Sequence, residues 1–210
     1  MGEVLVFVGH DGGVVGKPSL ELLTVARRLG DPVALVVGAG ASGAVGVLAE
    51  HGAVRVLVDE SPVYGELLVV PAVDALEAAW GRVEGAVAVL VPSTPEGRET
   101  AARFAVRAGS GIVTDAVDVE ASERGPVAVQ SVFAGSFTTR SRVTRGVPVI
   151  TVKPNAAPVE VSPAAGTVEV LEVVFGDAGR AARVVERSER AASGRPELTE
   201  AAIVVSGGRG

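Results

Sequence analysis

The chain has no cysteine, which excludes disulfides, thiolate metal sites and cysteine nucleophiles and points to a cytoplasmic setting. Aromatic residues are scarce, 3% of 210 residues, with one Trp and one Tyr. A core must therefore be built from Val, Ala, Leu and Ile, the palette of a parallel sheet covered on both faces. Basic charge is outnumbered: 19 Lys and Arg stand against 25 Asp and Glu, a net charge of −6. That balance lacks the electrostatic footprint of a nucleic-acid binder. No apolar run approaches the roughly 20 residues of a membrane span. The early apolar segment Val4-Leu5-Val6-Phe7-Val8 is too short for a signal-peptide core and has no basic start. Histidine occurs only at His10 and His51, without spaced carboxylate partners, so no metal set is expected. No Gly-x-Ser-x-Gly elbow is present, which leaves Ser93, Ser110 and Ser136 without a nucleophile context.

What is present is an alternation. Apolar strand-like segments at 3–8, 33–37, 54–58 and 86–90 are separated by helical patterns at 18–29, 43–51, 66–83 and 96–108. Pro18 suits a first helical turn and Gly30 a helix end. This rhythm predicts an α/β fold, a three-layer, mostly parallel sheet with right-handed crossovers. After an extended stretch at 112–119 the rhythm changes. Segments 127–132, 137–143 and 147–152 are β-rich with no helix between them, and are expected to form a small antiparallel section or to add strands at the sheet edge. A further strand is expected at 168–174 and a charged helix at 180–190. Residues 193–197 have linker chemistry.

Five stretches invite a chemical reading. Gly38-Ala39-Gly40-Ala41-Ser42-Gly43 matches Gly-x-Gly-x-x-Gly between a strand and a helix, and the next strand ends at Asp59-Glu60, where a ribose-binding acid would stand. It sits on the second strand rather than the first, and an ordinary strand-to-helix turn is the competing reading. Gly12-Gly13-Val14-Val15-Gly16-Lys17 resembles a phosphate loop, but Pro18 stands where a metal-coordinating hydroxyl is needed. His10 and Asp11 follow the first strand, where open α/β sheets bind ligands; His10 could face a ligand or hydrogen-bond a neighbouring loop. Asp115, Asp118 and Glu120 lie close together but on an extended segment, which does not aim them at one substrate as a catalytic pair.

The fifth stretch is at the end. Ala201-Ala202-Ile203-Val204-Val205 reads as a buried strand running into Ser206-Gly207-Gly208-Arg209-Gly210, a strand opening into a glycine-rich loop. With Arg195-Pro196-Glu197-Leu198-Thr199-Glu200 before it, this stretch resembles the α-subunit of electron transfer flavoproteins. Earlier pieces fit the same family in order and spacing: Gly97-Arg98-Glu99 with Ala102-Arg103-Phe104-Ala105, Thr114-Asp115, Phe133-Ala134-Gly135, and Val152-Lys153-Pro154. The chain departs from the family pattern at Phe133 and Ser136, where Tyr and Asn are usual, at Lys153 for Arg, and at Gly9 for Glu. The resemblance implies an adenine-nucleotide hydrolase-like α/β domain over 1–190, a linker over 191–200, and over 201–210 the truncated start of an FAD-binding domain. It implies a heterodimer with a β-subunit, carrying electrons through FAD from dehydrogenases, typically acyl-CoA dehydrogenases of fatty acid β-oxidation, to a membrane quinone reductase. Arg209 is then the cofactor-facing residue, with Gly207, Gly208 and Gly210 letting the backbone approach FAD. The chain itself is expected to be no enzyme and to retain little or no FAD. A nucleotide-binding α/β module using 38–43 is the alternative.

Overall fold

The computed structural model describes residues 2–83, 85–176, 182–188, 194, 198 and 201–208. In chain order the elements are β1 (Glu3–Val8), β2 (His10–Asp11), β3 (Val14–Val15), α1 (Lys17–Arg27), β4 (Asp31–Val37), a 3-10 turn (Ala41–Ala44), α2 (Val45–Glu50), β5 (Arg55–Asp59), α3 (Val63–Glu66), α4 (Val70–Trp80), β6 (Ala88–Pro92) and α5 (Pro95–Arg107). Then follow β7 (Ile112–Ala116), β8 (Asp118–Glu120), β9 (Val127–Val132), β10 (Phe137–Ser141), β11 (Val149–Val152) and β12 (Thr167–Val170).

Seven strands form one sheet in the order β12-β5-β4-β1-β6-β11-β7, every neighbouring pair parallel. Alternation within β1 explains the layers. Val4, Val6 and Val8 point to one face and pack with Leu22, Leu23 and Ala26 of α1 and Leu48 of α2. Leu5 and Phe7 point to the other and pack with Val73 and Leu76 of α4 and Phe104 of α5. With helices on both faces, no side of a central strand meets water, so strands read as continuous apolar runs. The three-layer α/β architecture is as the alternation implied.

The antiparallel section lies over β8, β9 and β10, which form a sheet of their own in the order β10-β9-β8. The 147–152 segment does not join it. All four residues of β11 are buried, and β11 inserts in parallel between β6 and β7 rather than at an edge. The antiparallel unit is thus the crossover from β7 to β11, in the place where the earlier connections of the sheet use a helix. It is tied back to β7 by the Gln130 side-chain amide, which donates to the Thr114 carbonyl at 2.7 Å.

Two helical expectations change. The pattern over 66–83 is broken into α3 and α4 by Val69, at φ 58°. The Val70 N–H donates to the Leu68 carbonyl at 2.6 Å, a γ-turn of the rarer, strained hand. Pro71, lacking an N–H, fits only the first turn of the helix that restarts there. The charged segment 180–190 is not a helix over its described residues, 182–188. Its backbone is engaged elsewhere: Arg183 bridges Leu67, the Leu68 N–H donates to Ala182 at 3.2 Å and the Val184 N–H to Glu66 at 2.8 Å. Residues 180, 181, 189 and 190 lie outside the described residues.

Candidate functional site

Strand order reverses between β1 and β6, and the carboxyl ends of strands at such a point are where open α/β sheets hold ligands. A cleft of about 900 Å³ opens there, floored by Phe7, Val8, Val37 and Leu67 and bounded by the β2–β3 hairpin, Tyr64 and the first turn of α5. His10 and Asp11, which the sequence singled out, line it, and the Gly38–Gly43 loop and the end of β5 lie beside it.

His10 is a packing residue. Its Nδ1 accepts from the Gly13 N–H at 3.0 Å, so the ring proton sits on Nε2, which donates to the Val37 carbonyl at 2.9 Å. The ring pins the hairpin onto the end of β4. There the two glycine loops meet. A Cβ on Gly13 would lie 2.6 Å from the Gly40 carbonyl oxygen, and one on Gly40 would lie 2.8 Å from the Gly12 carbonyl carbon. Gly40 is also left-handed, at φ 82°. Gly40, with Gly13 opposite, therefore serves close approach of two loops. The acids at the end of β5 are engaged as well. Glu60 accepts from the Ser42 N–H at 3.0 Å, in the position an anion would take. Asp59 accepts from the Ser61 N–H at 2.9 Å and from the Tyr64 hydroxyl at 2.7 Å. Burial, and then the Asp59 carboxylate, push the Tyr64 hydroxyl well above the usual tyrosine range, so it stays a donor. The phosphate-loop lookalike is no cradle: Lys17 opens α1 and donates to Asn155 Oδ1 at 2.7 Å, with Glu21 at 3.5 Å. His51 donates from Nδ1 to the Val47 carbonyl at 2.8 Å, one helical turn back.

Sequence reading missed a second constellation, over the ends of β6, β11 and β7. Buried Ser93 hydrogen-bonds the Asp115 carboxylate and lies 3.2 Å from the Thr151 hydroxyl. The Asp115 N–H donates to that same hydroxyl at 2.9 Å. Arg98, from α5, donates to Asp115 at 3.4 Å and to the Ser93 carbonyl at 3.3 Å. Asp115 is left-handed at φ 58°, a conformation Asp tolerates better than most residues. With its carboxylate paired to a guanidinium and no imidazole within the group, the cluster fastens three strands and a helix; nothing in it activates Ser93. Among the described residues no group of three His, Cys, Asp or Glu could hold a metal, and no helix is long and apolar enough to cross a membrane.

Against known proteins, residues 4–178 match the family model described as electron transfer flavoprotein domain. The chain belongs to the electron transfer flavoprotein family. It is similar to the electron transfer flavoprotein subunit alpha of Mycobacterium leprae, 42% identical over 213 residues, and to that of Mycobacterium tuberculosis (strain ATCC 25618 / H37Rv), 45% identical over 213 residues. The same subunit of Syntrophomonas wolfei is 34% identical over 212 residues. Each alignment takes in the whole chain but only 65%, 65% and 66% of the relative, respectively, so the chain spans about two-thirds of their length.

Within this flavoprotein family, the motif pieces acquire positions. Gly97-Arg98-Glu99 and Thr114-Asp115 come together in the Ser93 cluster, which is the signal that could have found it. Lys153 follows β11, its N–H donating to the Ala116 carbonyl at 2.8 Å. Phe133-Ala134-Gly135 forms the tip of the β9–β10 hairpin. Of the four residues matched to a flavin contact, Arg209 and Gly210 lie outside the described residues. Gly207 and Gly208 are exposed, and a Cβ on either would meet nothing within 4 Å. Both leave the backbone open to close approach by another group.

Proposed function

We propose that this chain is the N-terminal domain of an electron transfer flavoprotein α-subunit, and that its own task is to hold a partner rather than a cofactor. Residues 1–190 are then the α/β domain, 191–200 a linker and 201–210 the start of an FAD-binding domain. The domain packs on the β-subunit in the heterodimer, in the bacterial cytoplasm. The whole protein is an electron carrier that moves electrons from dehydrogenases, typically acyl-CoA dehydrogenases, to a membrane quinone reductase. FAD supplies that redox chemistry when bound, and Arg209 is proposed to face it. One observation carries the scaffold reading. The polar groups over the sheet's carboxyl ends, His10, Ser42, Asp59, Glu60 and Tyr64, are engaged with one another and with backbone. Co-expression with the β-subunit tests it: a one-to-one heterodimer is the expected product, while this chain alone shows no stoichiometric flavin absorbance. Two separately migrating proteins would sink the reading.

The cleft of about 900 Å³ at the strand-order reversal favours a second reading, a nucleotide-binding α/β module. Calorimetric titration with AMP, ATP and NAD separates the two. Silence favours the scaffold; micromolar binding that disappears in Gly40→Ala favours the module.

A further inference from the structure

A second hollow lies at the other ends of the strands. Gly85, Ala86 and Val87 lead into β6, and Gly146 and Pro148 lead into β11. With the β8–β9 turn, 124–126, and with 142–144 just past β10, they line a shallow cavity of about 550 Å³. The cleft already described is at the carboxyl ends of the sheet, and the two share no lining residue.

Its charge is of one sign. The chain carries −6, and arginines elsewhere find carboxylates: Arg27, Arg55, Arg98 and Arg107 each do, as does Arg140 on β10. Arg124 and Arg142 both line this cavity, and neither pairs with a carboxylate among the described residues. No described Asp or Glu lines it with them; Glu123, the neighbour of Arg124, does not. Arg142 Nη1 donates to the Arg124 carbonyl at 2.7 Å, so one guanidinium is fixed against the backbone that carries the other. Two cations brought to one hollow repel each other, and an acidic chain has carboxylates to spare for both. Leaving them unpaired keeps their donors for an anion from outside.

We infer that this cavity binds an organic phosphate monoester, its phosphate between the Arg124 and Arg142 guanidiniums and its apolar part on Val87, Pro126, Val143 and Pro148. A phosphate monoester is close to a dianion at neutral pH, which matches two monocations, and its oxygens suit the planar forks of arginine. Thr144 brings a hydroxyl to the same hollow. The apolar lining is what separates an organic phosphate from the bare ion, and the volume is in the range that small ligands use. The inference goes beyond both functional readings above and depends on neither.

The test titrates the whole nitrogen-15-labelled chain with phenyl phosphate, inorganic phosphate and phenol, following amide shifts by NMR. Saturable shifts are expected at Gly125 and over 142–146, with phenyl phosphate at least about 10-fold tighter than either fragment. R124Q/R142Q is expected to weaken phenyl phosphate at least about 10-fold, the loss of hydrogen bonds between charged groups. R28Q/R103Q removes the same charge elsewhere and stays within about 3-fold of wild type, and wild-type affinity falls as salt rises. Arg124 and Arg142 are exposed, so the ligand-free spectrum of R124Q/R142Q matches wild type away from the substituted positions. Equal affinity in wild type and R124Q/R142Q overturns the inference, as do shifts confined to 9–16, which would put the ligand in the other cleft. Vesicles of phosphatidic acid offer the same group on a membrane. Wild type that pellets with them through Arg124 and Arg142, yet ignores phenyl phosphate, overturns it in favour of a lipid. Shifts at 142–146 with a hexaglutamate peptide and none with phenyl phosphate overturn it in favour of an acidic protein segment.

Discussion

The seven-stranded sheet and the β8–β10 unit are built from the same apolar, β-branched vocabulary and come to opposite ends. In β4 the run from Pro32 to Val36 is wholly buried, as are all of β6 and β11. In β10, Phe137, Thr138, Thr139 and Arg140 are all exposed. The difference is cover. Helices close both faces of the sheet, so its strands are held by burial whatever their ends do. The antiparallel unit is covered on one side only: Val119 and Ala128 are buried in the core with α1 and Gln130 ties it to β7, while β10 lies open. Stability should therefore reside in the sheet and its layers, and contact with other molecules in the antiparallel unit.

Phenylalanine gives the most direct way to break that contrast, because it occurs in both regions. Phe104 of α5 is fully buried against the sheet, edge to face with Trp80 at 5.7 Å. Phe104→Ala is expected to lose about 3–5 kcal/mol of stability in urea unfolding. Phe133 is 79% exposed and Phe137 63%, so Phe133→Ala and Phe137→Ala are each expected to change it by less than about 0.5 kcal/mol. A hairpin phenylalanine that costs as much as Phe104 would mean the tip is part of the fold's support.

The layer over the sheet gives the next largest effect. Asp74 of α4 is buried; its carboxylate pairs with Arg107 of α5 and accepts from the Gly176 N–H at 3.2 Å. The hydrogen bond to Asp74 is the main cause holding the Arg107 guanidinium above its usual range. Asp74→Asn keeps the shape, loses the charge, and is expected to cost about 2 kcal/mol, the scale of a hydrogen bond to a charged group. A neutral outcome would mean that α4 and α5 are held by apolar packing alone.

How much of this was legible follows the same division. The period-two split of Val4, Val6 and Val8 from Leu5 and Phe7, with helical spacing between strands, is a local signal, and the three layers follow from it. The place of β11 is not local. Four buried residues read alike in a sheet centre or at its edge, and insertion between β6 and β7 is decided by which neighbours remain open. The 38–43 fingerprint is ambiguous for a related reason: glycine spacing reports that backbone comes close, not whose. Here the close partner is Gly12 of the neighbouring loop, and the anion is the chain's own Glu60. Asp115 and Thr151 lie on two strands and Ser93 just past the end of a third, so no window of sequence contains them. The left-handed Phe133 and Ala134 carry no signal at all, because neither is glycine, asparagine or aspartate.

That last point sharpens the view of the hairpin. A non-glycine residue in the left-handed region costs about 1–2 kcal/mol. Ala134→Gly removes that cost at the tip without touching either phenylalanine, and is expected to stabilise the chain by about 1 kcal/mol in thermal or urea unfolding, partly offset by the freer unfolded chain. No gain would mean that the turn is relaxed as it stands.

The smallest effect belongs to the sheet's own exposed edge, the case between the two regions. There Arg55 donates to Glu3 at 2.8 Å and to Glu169 of β12 at 2.9 Å, and Arg82 reaches Glu169 at 2.8 Å. The Arg55 hydrogen bond, ahead of the opposing effect of burial, holds the Glu169 carboxyl below the usual carboxylate range. A carboxyl depressed in the folded state contributes stability above its unfolded pKa and loses it as pH falls through the folded one. Acidification below the ordinary range of glutamate should therefore loosen β12 from β5 before the central strands respond. The group is largely solvated, so the contribution is under about 1 kcal/mol and shrinks with salt. Hydrogen exchange at Thr167 and Leu171, whose N–H groups donate to the Val54 and Val58 carbonyls at 3.0 and 2.8 Å, followed from neutral to acid pH in wild type and Glu169→Gln, reads it directly. Protection at these amides should fall with pH in wild type and start lower, with a flatter profile, in the variant. Matching profiles would show that β12 is held by its backbone pairing alone, and that the sheet needs no charge even at its edge.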